Sequence, residues 1–264
     1  MMPNPQGMKS SKLDNYIISF FKSLPKEISY ELKRNKLFKI NNKKKNTFDP
    51  VTTCDRNIEK LLRRKINKSF KNHNILGEEI KSKKTKSEFT WVLDPIDGTK
   101  NFIMGIPTWS NLIGLFYKNK SLISLANFPL LKKYYLAYNN KVFKFENNKK
   151  ILVKSNDKLK KNPSIVVNTS RTLRSLNVKK LQKNFKGIFR VSGIDALNFC
   201  LLSEGKIDVI IERGLKKVDY LPLLSIIENS GASISDWKGK NNFKYGDVLI
   251  SANKKLHKKI LKIL

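Results

Sequence analysis

Apolar side chains recur along this chain with two different periods. At Leu13, Ile17, Phe20, Phe21 and Leu24 they return every three to four residues, which predicts a helix over 13–24 with Pro25 beyond its last apolar position. Ile58, Leu61, Leu62, Ile66 and Phe70 repeat that period and predict a second helix. Thr52 or Thr53 suits its N-cap, and Asp55 suits the positive field of its first turn. Between them, 26–41 fits a helix and then a strand over 37–40. Trp91, Val92 and Leu93 predict the end of a buried strand, stopped by Asp94-Pro95, and Gly98-Thr99 then opens a short helix. Over 106–150 the period falls to two in the runs 112–117, 121–128, 134–138 and 142–145, the pattern of an antiparallel meander.

A lysine-rich stretch over 149–161 reads as a connection between two halves, too short to separate independent domains. Beyond it, strands are predicted over 164–169, 189–192, 207–211, 232–236 and 248–252, the third of them delivering Glu212. Helices are predicted over 196–204, stopped by Gly205, and over 254–264. Another starts at Asp219, has Pro222 in its first turn and ends at Asn229-Ser230-Gly231. Strands and helices mix irregularly, which predicts a layered α/β (α+β) fold with mixed sheets rather than a doubly wound parallel one. The expected organisation is a disordered tail over 1–12 and a single domain over 13–264, its halves meeting near residue 150.

Composition narrows the class. At 264 residues, 40% of them hydrophobic, the chain has the material for a full core. No apolar run is long enough to span a bilayer, and the first residues lack the apolar core of a secretory signal, so a cytoplasmic, non-membrane protein is expected. Cys54 and Cys200 are the only cysteines and read as buried small hydrophobes. The formal charge is +33. Of the 54 basic residues 46 are lysine, spread through almost every segment, which favours a lysine-biased surface over a nucleic-acid interface built on arginine forks. Such a field speeds capture of an anionic substrate at low salt.

Candidate chemistry concentrates in 91–105, WVLDPIDGTKNFIMG. Two carboxylates at a strand end, Asp94 and Asp97, suit a hard cation that takes oxygen ligands, and the Gly98-Thr99 helix start offers free N–H groups to a phosphate. With Thr99, Asn101 and Phe102 in place, this string resembles the signature of the inositol monophosphatase family of Mg²⁺-dependent phosphomonoesterases. The resemblance extends to DPVTTCD over 49–55 and to GEE over 77–79. It also covers the stretch from Gly193 to Gly239. It implies a layered αβαβα sandwich, with a metal and phosphate half over 13–150 and a substrate half over 151–264. Asp55 would hold an outer metal through water. Glu78, Asp94, Asp97, Asp219 and the carbonyl of Ile96 would hold two or three Mg²⁺. Glu78 and Thr99 would position the attacking water, and the Gly98 and Thr99 N–H groups the phosphate. Lys44 or Lys45 matches a basic residue of the loop before Asp49, and neither is assigned. Val218 stands before Asp219 where most members carry Trp or Tyr, a departure that removes an aromatic wall but not the ligand.

Asp195 and Glu212 fall where the family builds its substrate pocket. Two carboxylates there suit a leaving group that carries positive charge, as histidinol does and inositol does not. Together with the GLKxxD run and the turn over 236–239, this makes the chain resemble the histidinol-phosphatase type of the family, with a role in histidine biosynthesis. The alternatives are an inositol-phosphate or broad sugar or nucleotide phosphatase on the same scaffold, and a nucleic-acid binder on an inactive one. Four metal carboxylates in a chain of charge +33 count against the last. A small phosphorylated substrate is the expected partner, and the family implies a possible homodimer. His73 reads as a surface residue, and neither it nor His257 has a motif around it, which argues against a histidine phosphatase.

Overall fold

A computed structural model describes residues 10–34, 37–43, 49–241, 243 and 246–264. Lys44 and Lys45 lie outside the described residues. Helix α1 (Ser10–Arg34) leads to strands β1 (Ile40–Asn42) and β2 (Pro50–Thr52), helix α2 (Thr53–Ser69), strands β3 (Asn74–Gly77) and β4 (Phe89–Asp97) and the short helix α3 (Thr99–Ile103). A meander follows: β5 (Ser110–Tyr117), β6 (Lys120–Phe128), β7 (Lys133–Tyr138), β8 (Lys141–Glu146) and β9 (Lys149–Val153). The rest comprises β10 (Ile165–Val167), α4 (Ser170–Ser175), α5 (Val178–Asn184), β11 (Phe189–Val191), α6 (Ala196–Ser203), β12 (Val209–Glu212) and α7 (Lys217–Tyr220). A 3₁₀ turn (Leu221–Leu223) joins α7 to α8 (Leu224–Asn229), and β13 (Ser233–Ser235), β14 (Val248–Ser251) and α9 (Lys254–Leu261) close the chain.

Two sheets organise the layers. The larger has seven strands in sequence order from β3 to β9, antiparallel except for the β3–β4 pair. The smaller is mixed, in the order β11-β10-β12-β14-β13. One face of the large sheet packs on α1 and α2 through Phe21, Ile58, Leu62, Trp91 and Leu115. Its other face, through Leu112, Ala126 and Tyr135, shares a core with α6, α8 and the inner face of the small sheet (Val166, Ile210, Ile250). The outer face of the small sheet is covered by α5 and α9. The stack is therefore αβαβα, as the resemblance implies.

Several local expectations are corrected. Helix α1 begins at Ser10, inside the segment expected to be disordered, and runs through Pro25 to Arg34. Proline removes one intrahelical hydrogen bond, but the buried series Ile17, Phe21, Leu24 continues to Ile28 beyond it, and that burial outweighs the loss. The first strand after α1 is Ile40–Asn42, three residues later than predicted. The lysine-rich stretch after residue 148 contains β9, whose Val153 pairs with Val142 in the core while Ile151 and Leu152 stay exposed. Three two-residue hairpins are built on left-handed Lys118-Asn119, Asn139-Asn140 and Asn147-Asn148, so part of the asparagine content serves turns. His73 is buried: Phe89 and Phe70 stack on its ring, and its Nδ1 accepts a hydrogen bond from the Trp91 indole at 3.1 Å. Helix α7 begins at Lys217, two residues before Asp219.

Candidate active site

Strand β4 does not stop at Asp94-Pro95. It continues to Asp97, with a register shift in which three steps on β4 match two on β5: Asp94 faces Leu112 and Asp97 faces Ser110. In a regular strand, residues three apart point to opposite faces. The extra residue of the bulge reverses that parity. Core membership records the switch, because Phe89, Trp91, Leu93 and then Ile96 all lie in the core under α1 and α2. Asp94 and Asp97 consequently share the other face. Proline is tolerated at the bulge, where the ladder is already broken.

Both carboxylates line a cleft of ≈ 410 Å³ together with Lys43, Glu78, Ile96, Gly98, Thr99, Asp195, Lys216 and Asp219. Two residues expected at the site do not line it, Asp55 and Glu212. Asp55 is fully buried and closes a capping box with Thr52 at the start of α2, and its Oδ1 lies 3.3 Å from the Thr99 hydroxyl. That hydroxyl is also 3.1 Å from the carbonyl oxygen of Ile96, so Asp55 reaches the cleft through Thr99 and, by its charge, through Asp94. Glu212 is buried at the end of β12, where it accepts hydrogen bonds from the Asn168 N–H and from the Thr172 hydroxyl at 3.2 Å. The Asn168 side-chain amide donates to Asp195, so one asparagine ties the two carboxylates together.

Glu78 is set by a buried clamp. The Glu59 carboxylate, on α2, accepts the backbone N–H groups of Glu79 at 2.7 Å and Ile80 at 3.3 Å. Arg63, one turn later, donates to Glu59 at 2.7 Å and to the Ile80 carbonyl at 2.7 Å. Only glycine fits at 77, because a Cβ there would stand 2.0 Å from Glu59 Oε1. Above the clamp, Glu78 Oε1 receives two ammonium groups, Lys43 at 3.0 Å and Lys216 at 2.8 Å, and Lys43 also donates to Glu79. Asp219 accepts the Lys216 backbone N–H at 2.7 Å in the first turn of α7. Sequence reasoning missed Lys43, Lys216, Glu59, Arg63 and Asn168. The i,i+4 pairing of Glu59 with Arg63 on a helix is the one signal it offered.

Charge is crowded here. Burial, then Glu78, Asp97 and Asp219, push the Asp94 carboxyl well above its ordinary range. Burial, then Asp195 and Asp219, do the same to Asp97. Burial and Glu78 lift Asp219 to about 6, and burial lifts Glu212 to about 7. Asp195 is raised by burial, Glu212 and Asp219. Glu78 is lowered: burial pushes it up, but Lys216 and Lys43 outweigh that. Among the described residues no three Asp, Glu, His or Cys side chains already converge as a finished metal site. The donor chemistry nonetheless fits a hard divalent cation. All the donors are oxygen, they repel one another, and Asp94 Oδ1 is buried with no hydrogen-bond partner. A cation would supply what that oxygen lacks.

The chain matches the model of the inositol monophosphatase family over residues 16–264. It is 36% identical over 200 residues to the bifunctional phosphatase IMPL2, chloroplastic, of Arabidopsis thaliana, a match covering 74% of this chain but 57% of that longer protein. It is 30% identical to a fructose-1,6-bisphosphatase/inositol-1-monophosphatase of Aquifex aeolicus, over 88% of this chain and 89% of the relative. A histidinol-phosphatase of Chlorobaculum parvum is 28% identical, over 80% and 82%. In fold, the chain resembles the extragenic suppressor protein suhB of Bartonella henselae with a TM-score of 0.81 at 18% identity, covering 94% of this chain and 98% of that one. The chain belongs to the inositol monophosphatase family.

Proposed function

We propose that the chain is a Mg²⁺-dependent phosphomonoesterase that hydrolyses histidinol phosphate to histidinol and phosphate, in the cytoplasm. Glu78, Asp94, Asp97, Asp219 and the Ile96 carbonyl would hold the metal, two or three ions, which supplies Lewis-acid activation of the attacking water and neutralises phosphate charge. The Thr99 hydroxyl, held between Ile96 and Asp55, and the Glu78 carboxylate would position that water. The Gly98 and Thr99 N–H groups, freed by the left-handed turn at Gly98, meet the phosphate. Asp195 receives the leaving group's ammonium. Among the described residues no helix is long and apolar enough to cross a membrane.

The observation that carries the choice of substrate is Asp195. Its carboxylate lines the cleft, Glu212 and Asp219 crowd it with like charge, and among the described residues no basic side chain is paired with it. A substrate ammonium would neutralise its charge, whereas a neutral polyol would offer it only uncharged hydroxyl donors. Loss of a charge-assisted contact costs about 1.5–3 kcal/mol, roughly tenfold to a hundredfold in kcat/KM. Phosphate release from histidinol phosphate and from inositol 1-phosphate, by the wild type and by Asp195→Ala, tests this reading. Wild-type preference for histidinol phosphate, lost selectively in the variant, is expected. Equal losses on both substrates, or a wild-type preference for the inositol ester, would leave the broader phosphatase reading in its place.

A further inference from the structure

We propose that Lys216 is a resident counter-cation of the cleft: it pairs with Glu78 until a divalent cation displaces it, and then pairs with the substrate phosphate. The inference rests on the phosphatase reading above. Its basis is the contrast between two lysines on one carboxylate oxygen. Lys43 is shared between Glu78 and Glu79, whereas the Lys216 ammonium has Glu78 as its only hydrogen-bond partner among the described residues. The base of Lys216 is fixed, because its backbone N–H is bonded to Asp219, but its side chain is half exposed. It is a tethered cation with a free end, facing the same cleft as Gly98 and Thr99.

Electrostatics sets the order of events. One ammonium cannot neutralise a cluster in which Asp94 keeps a buried unpartnered oxygen and burial and neighbouring carboxylates raise Asp94, Asp97, Asp195 and Asp219. A doubly charged ion that shares Glu78 with Asp94 and Asp97 gains more from the cluster than the ammonium does. Once Glu78 is engaged by that ion, Lys216 faces a cation where it had an anion and is repelled. The phosphate of an incoming substrate is then a mobile anion within its range, competing with the fixed carboxylates of Asp49 and Asp219. Lys216 thus opposes the empty site's affinity for metal and adds to the loaded site's affinity for phosphate.

Calorimetric titration of the metal-free protein with Mg²⁺, and of the Mg²⁺-saturated protein with inorganic phosphate, separates these roles. Lys216→Met should bind Mg²⁺ about threefold to fivefold more tightly than the wild type, as expected for removal of a partly exposed ion pair that competes for the site. Lys217→Met removes the same formal charge from the exposed neighbour and should change Mg²⁺ affinity little. Phosphate should bind the loaded Lys216→Met variant about tenfold more weakly, and Lys216→Arg should restore most of that affinity. If Lys216→Met and Lys217→Met shift Mg²⁺ binding equally, or if phosphate affinity is unchanged, the proposal is overturned while the phosphatase reading stands. A wild-type protein that binds no Mg²⁺ overturns both.

Discussion

Replacing Asp94 with asparagine should make the metal-free protein more stable while abolishing its response to Mg²⁺. Asp94 is 2% exposed, its Oδ1 has no partner, and Glu78, Asp97 and Asp219 repel its charge. Asparagine keeps the shape and removes the charge. A buried unsatisfied group costs about 1–3 kcal/mol, and more when charged, so substituting a neutral amide should return about 1–2 kcal/mol. At roughly 2–4 °C per kcal/mol for a protein of this size, the melting temperature in EDTA should rise by about 2–8 °C. For the wild type, Mg²⁺ at a hundred times its dissociation constant adds about 2.7 kcal/mol, a further rise of roughly 5–11 °C. The variant should show little of that second rise and negligible phosphatase activity. Circular-dichroism melts of both proteins, in EDTA and in Mg²⁺, measure all four values. A variant that melts lower than the wild type in EDTA, or that keeps the wild-type increment in Mg²⁺, would refute the assignment of Asp94 as an uncompensated metal ligand.

Thr99→Ala should lower kcat more than it raises KM, since orientation of the attacking water counts mainly in the transition state; steady-state kinetics with an unchanged kcat would reduce Thr99 to a helix-start residue. Gly77→Ala would drive a Cβ to 2.0 Å from Glu59 Oε1 and 2.7 Å from Arg63 Nη2, so urea unfolding should show a loss of about 2 kcal/mol or more and calorimetry a weaker Mg²⁺ site. An alanine variant matching the wild type in both would show that Glu59 does not set Glu78. Burial, with Lys83 adding to it at His73, lowers the pKa values of His73 and His257 to about 4. Both are neutral in the fold, whereas the unfolded chain takes up protons below about pH 6.5. Their stabilisation is therefore complete above that pH and is lost as pH falls toward 4, on the order of 2–3 kcal/mol each. Imidazole resonances that titrate near 6.5 in the folded protein would contradict this.

The acidic residues were legible in the sequence because the family's signature is short and contiguous. Asp94, Asp97, Gly98 and Thr99 lie within six positions of one another, and local spacing was enough to propose a metal and phosphate site there. What organises them was not legible, since it depends on contacts across the fold. Lys216 reaches Glu78 across 138 positions, and Asn168 reaches Glu212 across 44. Periodicity located α2 and most of the meander, where one face is buried and one exposed. It failed at Pro25 and Pro95, where packing on both sides overrides a local breaker. It failed again at β9, whose outward residues are an edge strand's exposed lysines, isoleucine and leucine. His73 was misread because a histidine between asparagines looks solvated until the stacked Phe89 and Phe70 are seen.

The bulge in β4 ties the chemistry to an odd-numbered spacing. Deleting Pro95 or Ile96 would leave two residues from Asp94 to the second aspartate and restore an unbroken ladder with β5. Both carboxylates would then face the cleft, and the residue left between them the core, by ordinary alternation, but the carbonyl that meets Thr99 would be lost to the ladder. A procedure that idealised this sheet for stability would tend to make that deletion. The irregular residue is what presents side-chain and main-chain oxygens to one point, so thermostabilised versions of the chain should be chosen with the length of the segment over 94–97 held fixed.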